Sequence, residues 1–461
     1  MLKKYILFLF LFCKITLFSQ CYTAVKSYDS AIIARQTDGT LWARGYNNYG
    51  ILGQGASLTG INNFIQIGTD TDWTDQFDIS VDIVLAIKSN GTLWYWGYQL
   101  GTTNIITPTQ VGTATNWRKI TVAGSHFAAL KTDNTLWTWG FNDAGGLGTG
   151  NIDGNYLELN PTQVGTLNSW QDVFSGRNGI LVGLKTNGTI WSWGDIVGTN
   201  SGYPNSNENN AYASPHQIGT DTNWKYVSIG GNGMSLAIKT DGTLWGWGQA
   251  GFYCLYGNGI SVYTSLTPIQ IGTETTWKTV AVASNSVNAL KTNGTLWGWG
   301  INFAYQLGNG TNTEVQFPTQ SGTDTDWIYL ANNKTVGYTD AIKQNQSLYH
   351  WSGLNNGAAT PAYQIPGLLG TACLLSTENF DKNSFSCFPN PFQDSFSIDL
   401  SSLNLENASL QIYNTLGQSI YKKKLLNNIE TINTSNWSNG IYIVEIKSNF
   451  TTYKIKIIKN Y

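Results

Sequence analysis

Charge is scarce in this chain: Asp, Glu, Lys and Arg make up 12% of its 461 residues, and the net charge is −2. A nucleic-acid binder needs a basic footprint that displaces phosphate counterions, and none is present. Arginine occurs only at Arg35, Arg44, Arg118 and Arg177, so bidentate clamps on phosphate or carboxylate have little to draw on. The three histidines, His126, His216 and His350, fall in separate segments, and no His/Cys/Asp set has metal-ligand spacing. No Asp-x-Asp-x-Asp-Gly calcium loop occurs. Beyond the N-terminal stretch no apolar run approaches the ~18 residues that span a bilayer. The expectation is a chain with no catalytic set, metal, cofactor, nucleic-acid partner or integral membrane span.

What the chain has in quantity is tryptophan and glycine, 19 and 50 residues. The phrase Thr-Leu-Trp-x-Trp-Gly recurs, its first aromatic at Trp42, Trp94, Trp137, Trp191, Trp245, Trp297 and, weakened, Tyr349. A period near fifty marks an array of units that bury a core only by stacking on one another. Asp38-Gly39, Asn187-Gly188, Asp241-Gly242 and Asn293-Gly294 sit between apolar runs, which predicts hairpins with two-residue type I′ turns. The flanks, such as Ser235–Lys239 and Thr243–Trp247, are β-branched and aromatic. A second phrase, Pro-x-Gln-Val/Ile-Gly-Thr, runs from Gln110, Gln163, Gln217 and Gln270 to Trp117, Trp170, Trp224 and Trp277. Four short strands per unit suit a blade of a propeller, and seven hairpins predict seven blades. The first unit opens with Cys21–Val25 and no linker phrase, and no Trp follows Gln364. The N-terminal segment is therefore expected to supply the strand after Gln364, so that the first and last blades share strands. All tryptophans but Trp437 keep the phase of the repeat, which assigns them to core packing.

These units resemble the repeats of the regulator of chromosome condensation family. The third matches best, with Ala123-Gly124-Ser125-His126, Ala129-Leu130, Trp139-Gly140-Phe141-Asn142 and Gly146-Leu147-Gly148-Thr149-Gly150. Gln306–Gly310 and Leu52–Gly55 repeat the closing motif, while the second, fourth and seventh units lose it. The resemblance covers about residues 21–370 and implies a seven-bladed β-propeller in which His126 is structural. The exchange-factor and chromatin roles of eukaryotic relatives would not transfer to an exported chain.

Met1–Lys4 followed by apolar Tyr5–Cys13 has the form of a secretory signal, with cleavage expected after Gln20. A lipoprotein modification at Cys21 is the alternative. From about Ser386 the Trp-Gly units cease. Pro389-Asn390-Pro391, Leu416-Gly417-Gln418, Asn439-Gly440-Ile441-Tyr442 and a Lys/Ile final strand look like the type A C-terminal sorting domain of the type IX secretion system, expected as a small β-sandwich. That resemblance implies the type IX machinery as a partner and delivery, through the periplasm, to the cell surface or the medium. The expected organisation is a signal at 1–20, a propeller at 21–372, a linker at 373–387 and the sorting domain at 388–461. Without Cys13 the chain keeps Cys21, Cys254, Cys373 and Cys387. Ring closure favours a Cys21–Cys373 bridge in an oxidising compartment, with Cys373–Cys387 as the rival.

Sequence varies most after each Trp-Gly. Those loops carry Tyr49, Tyr98, Tyr156, Tyr203, Tyr212, Tyr253, Tyr256 and Tyr305. Aromatic, weakly charged loops on a rigid platform suit recognition of a protein or a glycan. The expected function is a non-enzymatic binding or adhesion protein. The alternatives are a secreted inhibitor of the kind that blocks β-lactamases and, further off, a glycan-active enzyme, for which Asp143, Glu158 and Asp195 form no recognisable acid pair.

Overall fold

The computed structural model describes residues 21–460 except 29–30, 56–59, 81–82, 99–103, 143–144, 152–156, 177–178, 195–211, 231–233, 250–255, 260–263, 284, 333–337, 353–362, 371–372, 374–384, 402–407, 415–417, 426–427 and 448–451. The expected signal at 1–20 lies outside the described residues. The protein is all-β and falls into two compact units, an N-terminal one ending at Leu374 and a C-terminal one starting at Leu375. No helix among the described residues is long and apolar enough to cross a membrane.

The N-terminal unit is a β-propeller, and among its described residues are seven four-stranded antiparallel sheets, each made of four consecutive strands. In the fifth sheet strand a is Trp224–Ile229, b Met234–Lys239, c Leu244–Gln249 and d Thr264–Ile271. Strand a carries the linker Trp, b and c form the predicted hairpin, and d carries the Pro-x-Gln phrase. The first sheet begins at Tyr22–Tyr28, which pairs with Ala31–Gln36 of its own sheet. In the last sheet Tyr363–Leu368 pairs with Leu348–Ser352. The N-terminal segment does take the place of the strand that would follow Gln364, but the expected sharing of strands is wrong: Gln364 lies in the fourth strand of its own sheet, and Tyr22–Tyr28 is the first strand of another.

The ring closes by repeating the contact that joins every other pair of sheets. The backbone N–H of Trp73, Trp117, Trp170, Trp224, Trp277 and Trp327 donates to the b–c turn of the preceding sheet, at Gly39, Gly91, Asn134, Gly188, Gly242 and Gly294. Tyr22 N–H donates to Gln346 of the last sheet in the same way, at 2.9 Å. Where a linker phrase would run from the last sheet to the first, Cys21 and Cys373 are joined by a disulfide, S–S 2.00 Å. Leu369 bonds Leu348 as Ile67 bonds Leu41, which puts Cys373 at the place of Thr71 and Cys21 at the place of Asp72. The bridge stands in for a peptide link. Cys373 therefore belongs with the propeller and not with the linker in which sequence placed it.

The b–c turns also differ from expectation. Gly39 has φ +86 while Asp38 is not among the positive-φ residues. Gly39 N–H donates to Gln36 and Gln36 N–H to Thr40, the pattern of a three-residue type I turn with a glycine bulge. The reason is the acid side chain. Asp38 Oδ1 accepts from Thr40 N–H (3.0 Å) and Thr40 Oγ1 (2.6 Å), and Thr40 Oγ1 accepts the Trp42 indole N–H at 2.7 Å. The same relay runs through Asn90, Asp133, Asn187, Asp241 and Asn293. The Asp/Asn-Gly-Thr-Leu-Trp phrase is thus a hydrogen-bonded unit that holds its own tryptophan.

The remaining repeat residues pack sheet to sheet. Trp224, Trp247, Trp277 and Trp299 are buried, and each buried indole removes about 150–250 Å², or roughly 4–6 kcal/mol gross. In every sheet but the first, where Gln36 stands instead, a lysine before the turn lies over two rings: Lys239 Nζ is 4.8 Å from the Trp224 centroid, 3.6 Å from that of Trp245 and 3.0 Å from Asp221. The Leu-Gly-x-Gly loop presses on the next sheet, since a Cβ on Gly148 would lie 2.7 Å from the Trp193 ring and one on Gly308 2.8 Å from that of Trp351. His126, buried, has Nδ1 3.1 Å from Ala123 O and leaves no room for a Cβ on Gly146.

The C-terminal unit pairs a three-stranded sheet (386–388, 395–399, 429–433) with a four-stranded one (419–424, 409–414, 440–447, 452–459). Phe392, Phe396, Ile398, Leu410, Ile412, Val444, Ile446 and Ile457 form one core between them. Its first strand, Ser386–Phe388, starts two residues before the expected boundary.

Candidate functional site

The turn that follows strand c is held by an asparagine. Asn47 Oδ1 accepts Leu52 N–H at 2.9 Å, Asn142 accepts Leu147 N–H at 3.1 Å and Asn302 accepts Leu307 N–H at 3.0 Å. These loops are therefore fixed at their base by the repeat, and their tips are free to vary.

In the first unit the tip carries Tyr46 and Tyr49, 38% and 50% exposed. Tyr49 has φ +56, a left-handed conformation that costs a non-glycine residue about 1–2 kcal/mol. Its ring meets Tyr98 of the second sheet edge-on at 5.1 Å. Tyr98 is 37% exposed, and its carbonyl accepts the Tyr95 hydroxyl. Burial pushes the Tyr95 phenol well above its usual range, so it stays a neutral donor at any physiological pH. The Gly50 backbone abuts Ile106 of the second sheet. Two sheets thus present one aromatic patch across their seam.

A second tip lies in the sixth unit. Phe303 is the most exposed large apolar side chain described, at 67%. Tyr305 has φ +56 at the position where Gly50 and Gly145 have φ +83 and +73. All three donate their N–H to the anchoring asparagine's carbonyl.

The other predicted positions behave differently. Tyr256 is fully buried, donates its hydroxyl to Gly248 O and accepts Ser265 N–H at 3.2 Å. It is a core residue and cannot belong to a binding face, which corrects the expectation from sequence. Tyr212 is half-buried with its ring 4.2 Å from that of His216. Tyr156, Tyr203 and Tyr253 lie outside the described residues, as do Asp143, Asp195 and Cys254. The loop sequence alone could not separate Tyr256 from its neighbours. Exposed Tyr46, Phe303 and Ile106 were missed because no repeat position marks them.

No group of three His, Cys, Asp or Glu among the described residues could hold a metal ion. His350 is sealed with its Nδ1 2.8 Å from Asp340, whose other oxygen takes Ser27 Oγ at 2.6 Å.

In the C-terminal unit Asn390 acts like a piece of strand. Its Oδ1 accepts Ile458 N–H at 2.8 Å and its Nδ2 donates to Lys456 O at 3.0 Å, which docks Pro389 and Pro391 on the final strand. Tyr442 lies 4.9 Å from the Trp437 ring and donates to Ser438 O at 2.5 Å, and Gly440 opens its strand at φ +149. Gly417 lies outside the described residues.

With this geometry in place, the comparisons with known proteins agree with both units. Residues 133–182 match the regulator of chromosome condensation (RCC1) repeat, and residues 386–460 match the secretion system C-terminal sorting domain. Yeast RCC1, in its crystal structure bound to Kap60, is similar at TM-score 0.59 and 19% identity over 68% of this chain and 78% of that one. Human WBSCR16 is similar at TM-score 0.62 and 16% identity over 71% and 93%. These likenesses carry the propeller fold. An ulvan lyase of Nonlabens ulvanivorans is 29% identical over 150 residues, 31% of this chain and 27% of that protein, so the match spans about a quarter of that relative. The chain carries an RCC1-type propeller and a tail that sorts it for type IX secretion, to the cell surface or the extracellular space.

Proposed function

We propose that this is an exported, non-enzymatic binding protein whose propeller presents aromatic loop tips to an extracellular protein or glycan. The observation that carries the reading is the Tyr49–Tyr98 pair. Two exposed rings in edge contact at 5.1 Å, one of them on a left-handed backbone, keep a costly arrangement that the fold does not require, since no other aromatic pair occupies that place among the described residues. Such anchors dominate recognition surfaces because they add contact area with little loss of side-chain entropy. The type IX machinery handles the tail, and the propeller is the delivered cargo.

The test is a screen of surface glycans and outer-membrane proteins with the full chain and with Tyr49→Ala/Tyr98→Ala. Binding should weaken at least tenfold in the double variant with an unchanged melting temperature. Retained binding would sink the choice of face.

A glycan-active enzyme is the second reading, favoured by the ulvan lyase relative. Incubation with ulvan, followed by ultraviolet absorbance of an unsaturated product, separates the two. Turnover by the purified chain would replace the binding reading.

A further inference from the structure

The innermost strands of all seven sheets line one solvent-reached cavity of about 390 Å³, through residues that include Lys26, Asp78, Thr121, Ser175, Tyr226, Thr279 and Tyr329. We infer that this axial cavity is a second binding site, separate from the loop tips, for a small organic anion of the size and polarity of a monosaccharide acid.

The charges at the wall are unequal in what they leave unspent. Asp78 is consumed by the Val122 N–H at 2.9 Å, Thr121 Oγ1 at 3.1 Å and Ile79 N–H at 3.1 Å. Asp75 accepts Thr23 Oγ1 at 2.6 Å and pairs with Arg35 at 3.2 Å. Lys119 pairs with Asp172 at 3.1 Å. Lys278 donates only to a neutral carbonyl, Ile328 O at 3.1 Å, and Lys26 forms no ion pair among the described residues. An occupant therefore meets two ammonium groups whose charge is not compensated and carboxylates that are already satisfied.

The rest of the wall fits the neutral part of such a ligand. Phe174 and Tyr226 meet edge-on at 5.5 Å, and aromatic faces accept the C–H side of a sugar ring. Thr279, whose hydroxyl bonds the Tyr226 phenol, adds polar atoms beside them. The volume falls at the small end of ligand pockets, which run about 300–1,000 Å³. A bare inorganic ion would leave the aromatic wall unused.

Calorimetric titration of the full chain with glucuronate, glucose and sulfate tests the inference. Saturable one-to-one binding of glucuronate is expected, with glucose and sulfate each at least tenfold weaker. Lys26→Ala and Lys278→Ala should each lower affinity about tenfold, Lys26→Arg should keep it, and Lys422→Ala, which removes the same charge from the C-terminal unit, should change nothing. Tyr49→Ala should also leave it intact, so failure here is distinct from failure of the loop-tip reading. Absence of saturation up to about 10 mM, the weakest binding of interest, would overturn the inference. So would glucose or sulfate matching glucuronate, or full affinity in both alanine variants.

Discussion

Removing the Cys21–Cys373 bridge isolates what covalent closure contributes to the ring. The two residues are 352 apart in sequence, and a cross-link over a loop of that length removes unfolded-chain entropy worth about 6 kcal/mol at 25 °C. A unit of this size has an unfolding entropy of about 0.7 kcal/mol/K, so Cys21→Ser/Cys373→Ser should lower the melting temperature by roughly 8 °C. The variant should still fold, because the Tyr22–Gln346 backbone hydrogen bond repeats the contact found at every other junction, and the Cys21–Thr37 bond one found within the other sheets. Scanning calorimetry of variant and wild type, without reductant, reads the difference. Limited proteolysis adds location: cleavage in the variant should begin near Tyr22–Tyr28, the strand freed from its neighbour. A shift of about 1 °C or less, against the loop-entropy expectation, would mean that the bridge merely decorates a ring already closed by packing.

Further predictions test the turns, the buried thiol and the strained tip. Gly242→Ala places a Cβ 2.0 Å from Thr275 O at φ +81, whereas Gly68→Ala at φ +61 meets nothing within 4 Å. Urea midpoints should show about 1 kcal/mol lost at Gly68 and about 3 kcal/mol or more at Gly242; equal losses would remove the inter-sheet clash from the argument. Burial pushes the Cys387 thiol from 9.0 up to about 12. The folded state therefore holds its proton while the unfolded chain releases it. Stability of the C-terminal unit should be level below pH 9.0 and decline from there toward about 12, and a thiol reagent should react only on unfolding; prompt labelling of the native protein would contradict the burial. Tyr305→Gly should raise stability by about 1 kcal/mol by relieving the left-handed tyrosine, while weakening any partner that docks on that tip. A loss of stability would show that the ring is needed for packing.

The repeat was legible because its chemistry is local. Each Asp/Asn-Gly-Thr-Leu-Trp phrase contains the acceptor, the hydroxyl and the indole of one hydrogen-bond relay, so alternation and turn residues sufficed to place strands b and c. The turn type was misjudged for a related reason: the two-residue rule weighs Asp-Gly alone, but Asp38 is occupied by Thr40, and the glycine takes the bulge. Closure was misjudged because strand sharing and sheet-to-sheet docking leave the same trace in sequence, a missing linker phrase. Only the register of Tyr22 against Gln36 and of Tyr363 against Ser352 separates them. Tyr256 shows the limit for the loops. Its burial depends on Gly246 leaving space beside it, since a Cβ there would come within 2.8 Å of the tyrosine ring, a contact that no local pattern announces.

Positions that depart from the repeat therefore carry more functional information than the many that obey it. Two kinds of departure occur, and physical context separates them. Tyr22 and Gln36 replace the usual Trp and Lys together, and the Gln36 side chain faces the Tyr22 hydroxyl inside the junction. That exchange keeps the two side chains against each other and falls at the closure. Tyr305 replaces glycine in a left-handed position, and Tyr49 adopts one where its only described ring partner is the also exposed Tyr98. Lys26 and Lys278 likewise bring to the axis a charge that no carboxylate among the described residues pairs. A departure that costs stability and satisfies nothing within the chain is best explained by something outside it, and that criterion selects the loop tips and the axial cavity over the nineteen tryptophans that dominate the composition.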